Sequence, residues 1–180
     1  MVYVFLANGL EEIEALTPVD ILRRGGVEVT TVGVGGKSVT GSHGIIISAD
    51  IEEKEITDIN EAEGVVLPGG MPGTLNLEKS DIVCGAAVDL AESGKVVGAI
   101  CAAPSILGHL GILKGKKAVC YPSFESELIG SVPFDGSVCR DGNIITAKGM
   151  GVSVEFGLAL LEALKGRAVA DRVKASIQYR

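Results

Sequence analysis

Uninterrupted apolar runs set the rhythm of this chain. Val2 to Ala7, Gly64-Val65-Val66-Leu67 and Val96-Val97-Gly98-Ala99-Ile100 show no alternation of apolar and polar positions. That is the pattern of short strands covered on both faces of a sheet. Val27 to Val32, Gly44 to Ser48, Lys117 to Cys120 and Asn143 to Thr146 read as further strands, punctuated by turns at Gly25-Gly26, Gly35-Gly36 and Asp141-Gly142. Between the strands, apolar positions recur at helical spacing. One helix is predicted from about Leu10 to Arg24, with Pro18 either kinking it or opening a second segment capped by Thr17. Another spans Asp81 to Ala91 behind a Ser80 cap, and a third spans Val152 to Leu164, with Val154, Leu158 and Leu161 facing inward. A short helix through Ser105-Ile106-Leu107 and a last one after Gly166 complete the set. Strands alternating with helices predict one α/β domain over residues 1–180, an open and mostly parallel sheet sandwiched between helices. Ligands are then expected where strand ends meet helix starts.

Composition narrows the classes of function. In 180 residues, 47% are hydrophobic, which supplies a core on more than one side of a sheet. The net charge is −7 and the basic residues are scattered, so no stripe can track phosphates and nucleic acid is not an expected partner. No segment reaches membrane-spanning length. The apolar start is too short for a signal-peptide core and lacks a basic flank, which predicts a cytoplasmic protein. Of the four cysteines, Cys84, Cys101, Cys120 and Cys139, no two form a C-x-x-C pair, and the only histidines are His43 and His109. Free thiols are therefore expected, with no metal and no organic cofactor.

Cys101 stands apart from the other thiols. It follows a strand and precedes a helix, with the small residues Ala99 and Ala103 two positions to either side, as the tight turn of a nucleophile elbow requires. A thiol at a helix N-terminus is expected to ionise below its free value of roughly 8.5. Gly69-Gly70 forms a second turn at the same sheet edge, whose backbone N–H groups, with that of Ala102, suit an oxyanion. Gly149-Met150-Gly151 is a third such turn. By spacing alone, any of Glu11, Glu12 and Glu14 can reach that edge. Cys84, Cys120 and Cys139 read as packing residues, although Cys120 lies near enough to a strand end to approach the site.

Leu67-Pro68-Gly69-Gly70, Ala99-Ile100-Cys101-Ala102-Ala103-Pro104, Glu11-Glu12-Ile13-Glu14 with Pro18-Val19-Asp20, and Gly149-Met150-Gly151 with Glu155-Phe156 together resemble the ThiJ/PfpI (DJ-1/PfpI) superfamily, over nearly the whole chain. The likeness is strongest to the branch associated with parkinsonism and its bacterial homologues. It implies a flavodoxin-like domain, a homodimer and a reactive Cys101. It also selects Glu14 as the acid beside the sulfur, with its pKa raised by burial and by the neighbouring anion, and leaves Glu11 and Glu12 as a solvated first helical turn. The implied activity is that of a cysteine-dependent stress-response protein of glyoxalase or deglycase type, acting on a small reactive carbonyl such as a dicarbonyl or an early glycation adduct.

Some positions depart from that pattern. Ala102 stands where the protease branch carries a histidine, which argues against a cysteine peptidase or amidase. Tyr121, in Cys120-Tyr121-Pro122, stands where efficient glyoxalases of the family often carry one. Its loss favours the alternative of a redox sensor or protective dimer working through oxidation of Cys101. His43, in Ser42-His43-Gly44, matches a family arginine that reaches toward the partner's cysteine, so it is a candidate anion binder or base, or else a solvated turn residue. Gly69, His43, Tyr121 and Gly149 are the expected lining of the site. His109, flanked by Leu107, Leu110 and Ile112, reads as a packing residue.

Overall fold

In the computed structural model, which describes residues 1–179, the side chains of the first strand feed two separate cores. Tyr3, Phe5 and Ala7 enter one and Val2, Val4 and Leu6 the other, which is why the run carries no polar face. This strand, β1 (Val2–Leu6), leads into α1 (Glu12–Arg24) and β2 (Val29–Gly33). The hairpin β3 (Ser38–Thr40) and β4 (Ile46–Ser48) and the two-residue β5 (Ile51–Glu52) come next. Then β6 (Gly64–Leu67) is followed by α2 (Gly73–Glu78) and α3 (Asp81–Glu92), and β7 (Val96–Ile100) by α4 (Pro104–His109). Short β8 (Lys117–Ala118) and β9 (Val132–Pro133) precede β10 (Val138–Asp141) and β11 (Ile144–Ala147), and α5 (Ser153–Lys165) and α6 (Arg167–Ser176) close the chain.

Seven strands form one sheet in the order β10-β11-β7-β6-β1-β2-β5, parallel except for the edge pair β10–β11. Helices α1, α5 and α6 cover one face and α2, α3 and α4 the other, so the expected α/β sandwich is the fold observed. Phe156 of α5 is fully buried, worth about 1.5–3 kcal/mol relative to an exposed ring. The register places the site. Leu67 lies opposite Ala99, and Ile100 opposite Ala147, so β6, β7 and β11 end level with one another. The residues that follow each strand therefore arrive at the same edge.

Of the two alternatives at Pro18, the second segment is not formed: α1 runs through it as one helix. Three differences from the sequence reading have local causes. Helix α2, between the turn at Gly69-Gly70 and the Ser80 cap, was not anticipated, because its six residues are too few to show a helical period. Only the first half of the segment from Lys117 to Cys120 is a strand, in a separate two-stranded sheet, since Val119 N–H donates to the hydroxyl of Thr146 (3.0 Å) instead of to a neighbouring strand. His109 is not a packing residue either: its ring nitrogens engage Glu78 (2.5 Å) and Glu127 (3.0 Å), tying the end of α4 to the end of α2 and to a 3-10 turn at Glu125–Glu127. No helix among the described residues is long and apolar enough to cross a membrane.

Candidate active site

Cys101 sits at the sharp turn between β7 and α4 with φ 66°, a left-handed conformation that side chains other than glycine rarely adopt. Tertiary bonds hold it there. Its N–H donates to Ala147 at the end of β11 (2.9 Å), and its carbonyl accepts from Tyr121 N–H (2.8 Å). Such local strain persists where surrounding structure over-determines the backbone.

Glu14, in the first turn of α1, is 1% exposed. Its carboxyl accepts from Gly69 N–H (3.0 Å) and lies close enough to the Cys101 thiol and the Met150 backbone for each to act on its ionisation. The Gly69 position admits nothing larger: an added Cβ would lie 2.6 Å from both Cys101 Cβ and Glu14 Oε2. Gly149 forms the opposite wall, where a Cβ would come within 3.9 Å of Cys101 Sγ, 3.6 Å of Glu14 Oε1 and 3.4 Å of the Tyr121 ring. The backbone groups of Gly70 and Ala102 are near enough to the sulfur to favour its ionised form. Cys101, Glu14, Gly69, Gly70, Ala102, Tyr121 and Gly149 are thus brought together. The Met150 backbone, beside the Glu14 carboxyl, is an addition that sequence reasoning missed, although its Gly-Met-Gly turn was conspicuous.

The electrostatics correct one expectation. The thiol is not acidified. Burial first, and then the Glu14 charge beside it, push it up to about 12, against the pull of Gly70 and Ala102. The helix supplies little, because α4 is only six residues long and begins three positions beyond the cysteine. Glu14 does move in the expected direction: burial pushes it up to about 7, with Glu11 adding to the rise and the Cys101, Gly69 and Met150 hydrogen bonds opposing it. The pair therefore releases one proton near neutrality and keeps the other to strongly alkaline pH. Above about pH 7 the pair keeps one proton, on the sulfur, beside an ionised carboxylate, which makes it an acid–base unit.

His43 does not join this group within the chain. Its Nδ1 lies 2.9 Å from Glu12 Oε2 and 3.2 Å from Glu11 Oε2, with the ring exposed. Glu12 is correspondingly not solvated: it is 3% exposed and accepts from the backbone N–H of His43 (2.9 Å) and Ile45 (3.5 Å). Burial pushes its carboxyl up, but these hydrogen bonds outweigh that and hold it at about 2. Glu11 caps α1 by accepting from Ile13 N–H (3.2 Å). The donor atoms of Glu11, Glu12 and His43 lie within 4.8 Å of one another, a spacing the hydrogen bonds among them account for.

The sequence profile of the DJ-1/PfpI family matches residues 1–163. The chain belongs to the DJ-1/PfpI family. Among its relatives in that family, protein dj-1beta of Drosophila melanogaster is 35% identical over 173 residues, which cover 94% of this chain and 92% of that protein. A Caenorhabditis elegans DJ-1/PfpI relative named glutathione-independent glyoxalase DJR-1.2 is 30% identical over 158 residues, covering 87% of this chain and 83% of its own length. The solved structure of oxidized Toxoplasma gondii DJ-1 superposes with a TM-score of 0.93 at 34% identity, covering 99% of this chain and 97% of that one.

Proposed function

We propose that this protein is a cysteine-dependent stress-response enzyme of glyoxalase type, converting a small 2-oxoaldehyde to the corresponding 2-hydroxy acid. The acid–base pair of Cys101 and Glu14, set among backbone donors, carries this reading. The thiol sulfur adds to the aldehyde carbon while the Glu14 carboxylate takes the thiol proton. The N–H groups of Gly70 and Ala102, close to the sulfur, steady the new oxyanion. Moving the hydrogen of the former aldehyde carbon, as a proton, to its neighbour converts the hemithioacetal to a thioester, and water then frees the hydroxy acid. One carbon is oxidised as the next is reduced, so no external redox partner is needed. The glyoxalase name of the nematode relative supports this reading. The same addition chemistry extends to early glycation adducts, and the cytoplasm is the proposed compartment.

Tyr121 in place of a histidine base favours a second reading, in which oxidation of Cys101 is itself the output. One experiment separates the two: methylglyoxal loss and lactate appearance for wild type and Cys101→Ser. Turnover by wild type alone is expected. If wild type consumes nothing above the Cys101→Ser background, the enzyme reading fails. The redox reading then requires that mild peroxide add two oxygens to Cys101 ahead of the other thiols.

The working form is proposed to be a homodimer. Ile13 and Leu16 on α1 and Ile45 and Ile46 at the β3–β4 hairpin, which Glu12 ties to that helix, are exposed, and apolar surface of this kind suits a self-complementary interface. Facing a partner, His43 would meet the site of the other chain. Sedimentation is expected to give the mass of two chains, shifting to one for Ile46→Asp; a wild-type monomer overturns the proposal.

A further inference from the structure

A cavity of about 220 Å³ backs onto the thiol site. Cys120 and Lys148 line the cavity, while the next residues, Tyr121 and Gly149, meet beside Cys101, so the two are neighbours along both segments. The rest of the lining is largely apolar, with Val119, Leu128, Pro133 and Phe134. Its volume falls below the roughly 300–1,000 Å³ of pockets for drug-sized ligands, so the occupant must be small.

The lining carries two opposite charges, Lys148 and Glu125. Among the described residues neither forms a salt bridge, with the other or with anything else. The Glu125 charge is felt at the inner wall, where burial first and this carboxylate second push the Cys120 thiol up to about 11. Opposite charges facing one apolar cavity without touching leave room for a ligand that bridges them.

We propose that this cavity binds a small apolar α-amino acid, its carboxylate toward Lys148, its ammonium toward Glu125 and its side chain against Val119, Leu128, Pro133 and Phe134. A simple carboxylic acid would satisfy Lys148 but bring its anion toward Glu125, and a simple amine would do the reverse. Either satisfies one protein charge and faces the other with a like charge. Only the zwitterion matches both. The site is distinct from the carbonyl chemistry proposed for Cys101 and does not depend on it.

Calorimetric titration of the full chain with L-leucine, 4-methylpentanoate and 3-methylbutylamine tests this. A ligand this small is expected to bind in about the micromolar-to-millimolar range. Saturable binding is expected for leucine, with each singly charged analogue weaker by about tenfold or more, the loss of one charge-assisted contact. Lys148→Gln and Glu125→Gln should each weaken leucine by about the same factor, and Ser131→Leu, which fills the cavity, should abolish binding while melting as wild type. Absence of saturable leucine binding, unchanged affinity in the two Gln variants, or equal affinity for the three ligands would each overturn the proposal. Turnover of methylglyoxal by wild type and by Lys148→Gln should be the same, which keeps this result separate from the reading of Cys101.

Discussion

Replacing Glu14 by Gln is expected to make the protein more stable at pH 8 and its thiol less productive at the same time. The Glu14 carboxyl ionises at about 7 in the folded chain, against an ordinary value of 4.5. The folded state thus holds this proton more tightly than the unfolded state does, so stability falls as pH rises from 4.5 through about 7. Fully developed, that loss reaches up to about 3 kcal/mol, which in a chain of this size corresponds to roughly 6–12 °C in Tm. Glutamine cannot ionise and escapes it, while its amide oxygen still accepts from Gly69 N–H. Thermal melts should show the variant above wild type at pH 8 and the two converging below pH 4.5; an equal gap at both pH values would contradict this account. Turnover should fall by about 10²–10⁴, the usual contribution of a positioned general base. The thiol itself should titrate lower, since its anionic neighbour is gone. A thiolate midpoint that falls while turnover also falls would show that Glu14 serves as a base rather than as an activator of sulfur charge.

The second large effect is expected from Gly69→Ala. The added methyl would stand 2.6 Å from Cys101 Cβ and Glu14 Oε2 and 2.8 Å from the carbonyl of Ile100, and real Cβ contacts do not occur at such distances. Two of these neighbours belong to the end of β7 and the turn after it, so the strand ends must separate rather than a flexible side chain swing aside. A cost of about 1–3 kcal/mol is expected for overpacking of this kind, together with a lengthened Gly69–Glu14 hydrogen bond. Denaturant melts should read the first, and the pH at which the Glu14 carboxyl ionises, about 7 in the unaltered chain, should shift with the second. Wild-type values for both would show that the edge has slack the structure does not display.

Much of this arrangement was legible in the sequence, for definite physical reasons. The central strands are buried on both faces and so carry unbroken apolar runs, and α3 announces itself with a Ser80 hydroxyl that accepts from Val83 N–H (3.3 Å). The turn at Cys101 needs small flanking residues, and Ala99 and Ala103 supply them. What stayed hidden depends on partners remote in sequence. Glu12 looks like any acid on a first helical turn until the loop carrying His43 and Ile45 folds over it. The direction of the Cys101 shift was misread because a helix start is visible in a sequence, whereas the depth of burial and the charge of Glu14 are not. Among three neighbouring glutamates, periodicity could not choose Glu14; family resemblance did.

The level ends of β6, β7 and β11 carry a consequence for how the thiol comes into being. Its partners enter from segments far apart in the chain, Glu14 and Gly69 alone being 55 positions distant, and its own N–H is anchored on Ala147. During synthesis, β1, β6 and β7 emerge before that anchor exists. A nascent or truncated chain ending short of β11 therefore carries Cys101 as an ordinary thiol, without the fixed backbone or the wall at Gly149. The acid–base pair belongs to the finished chain alone.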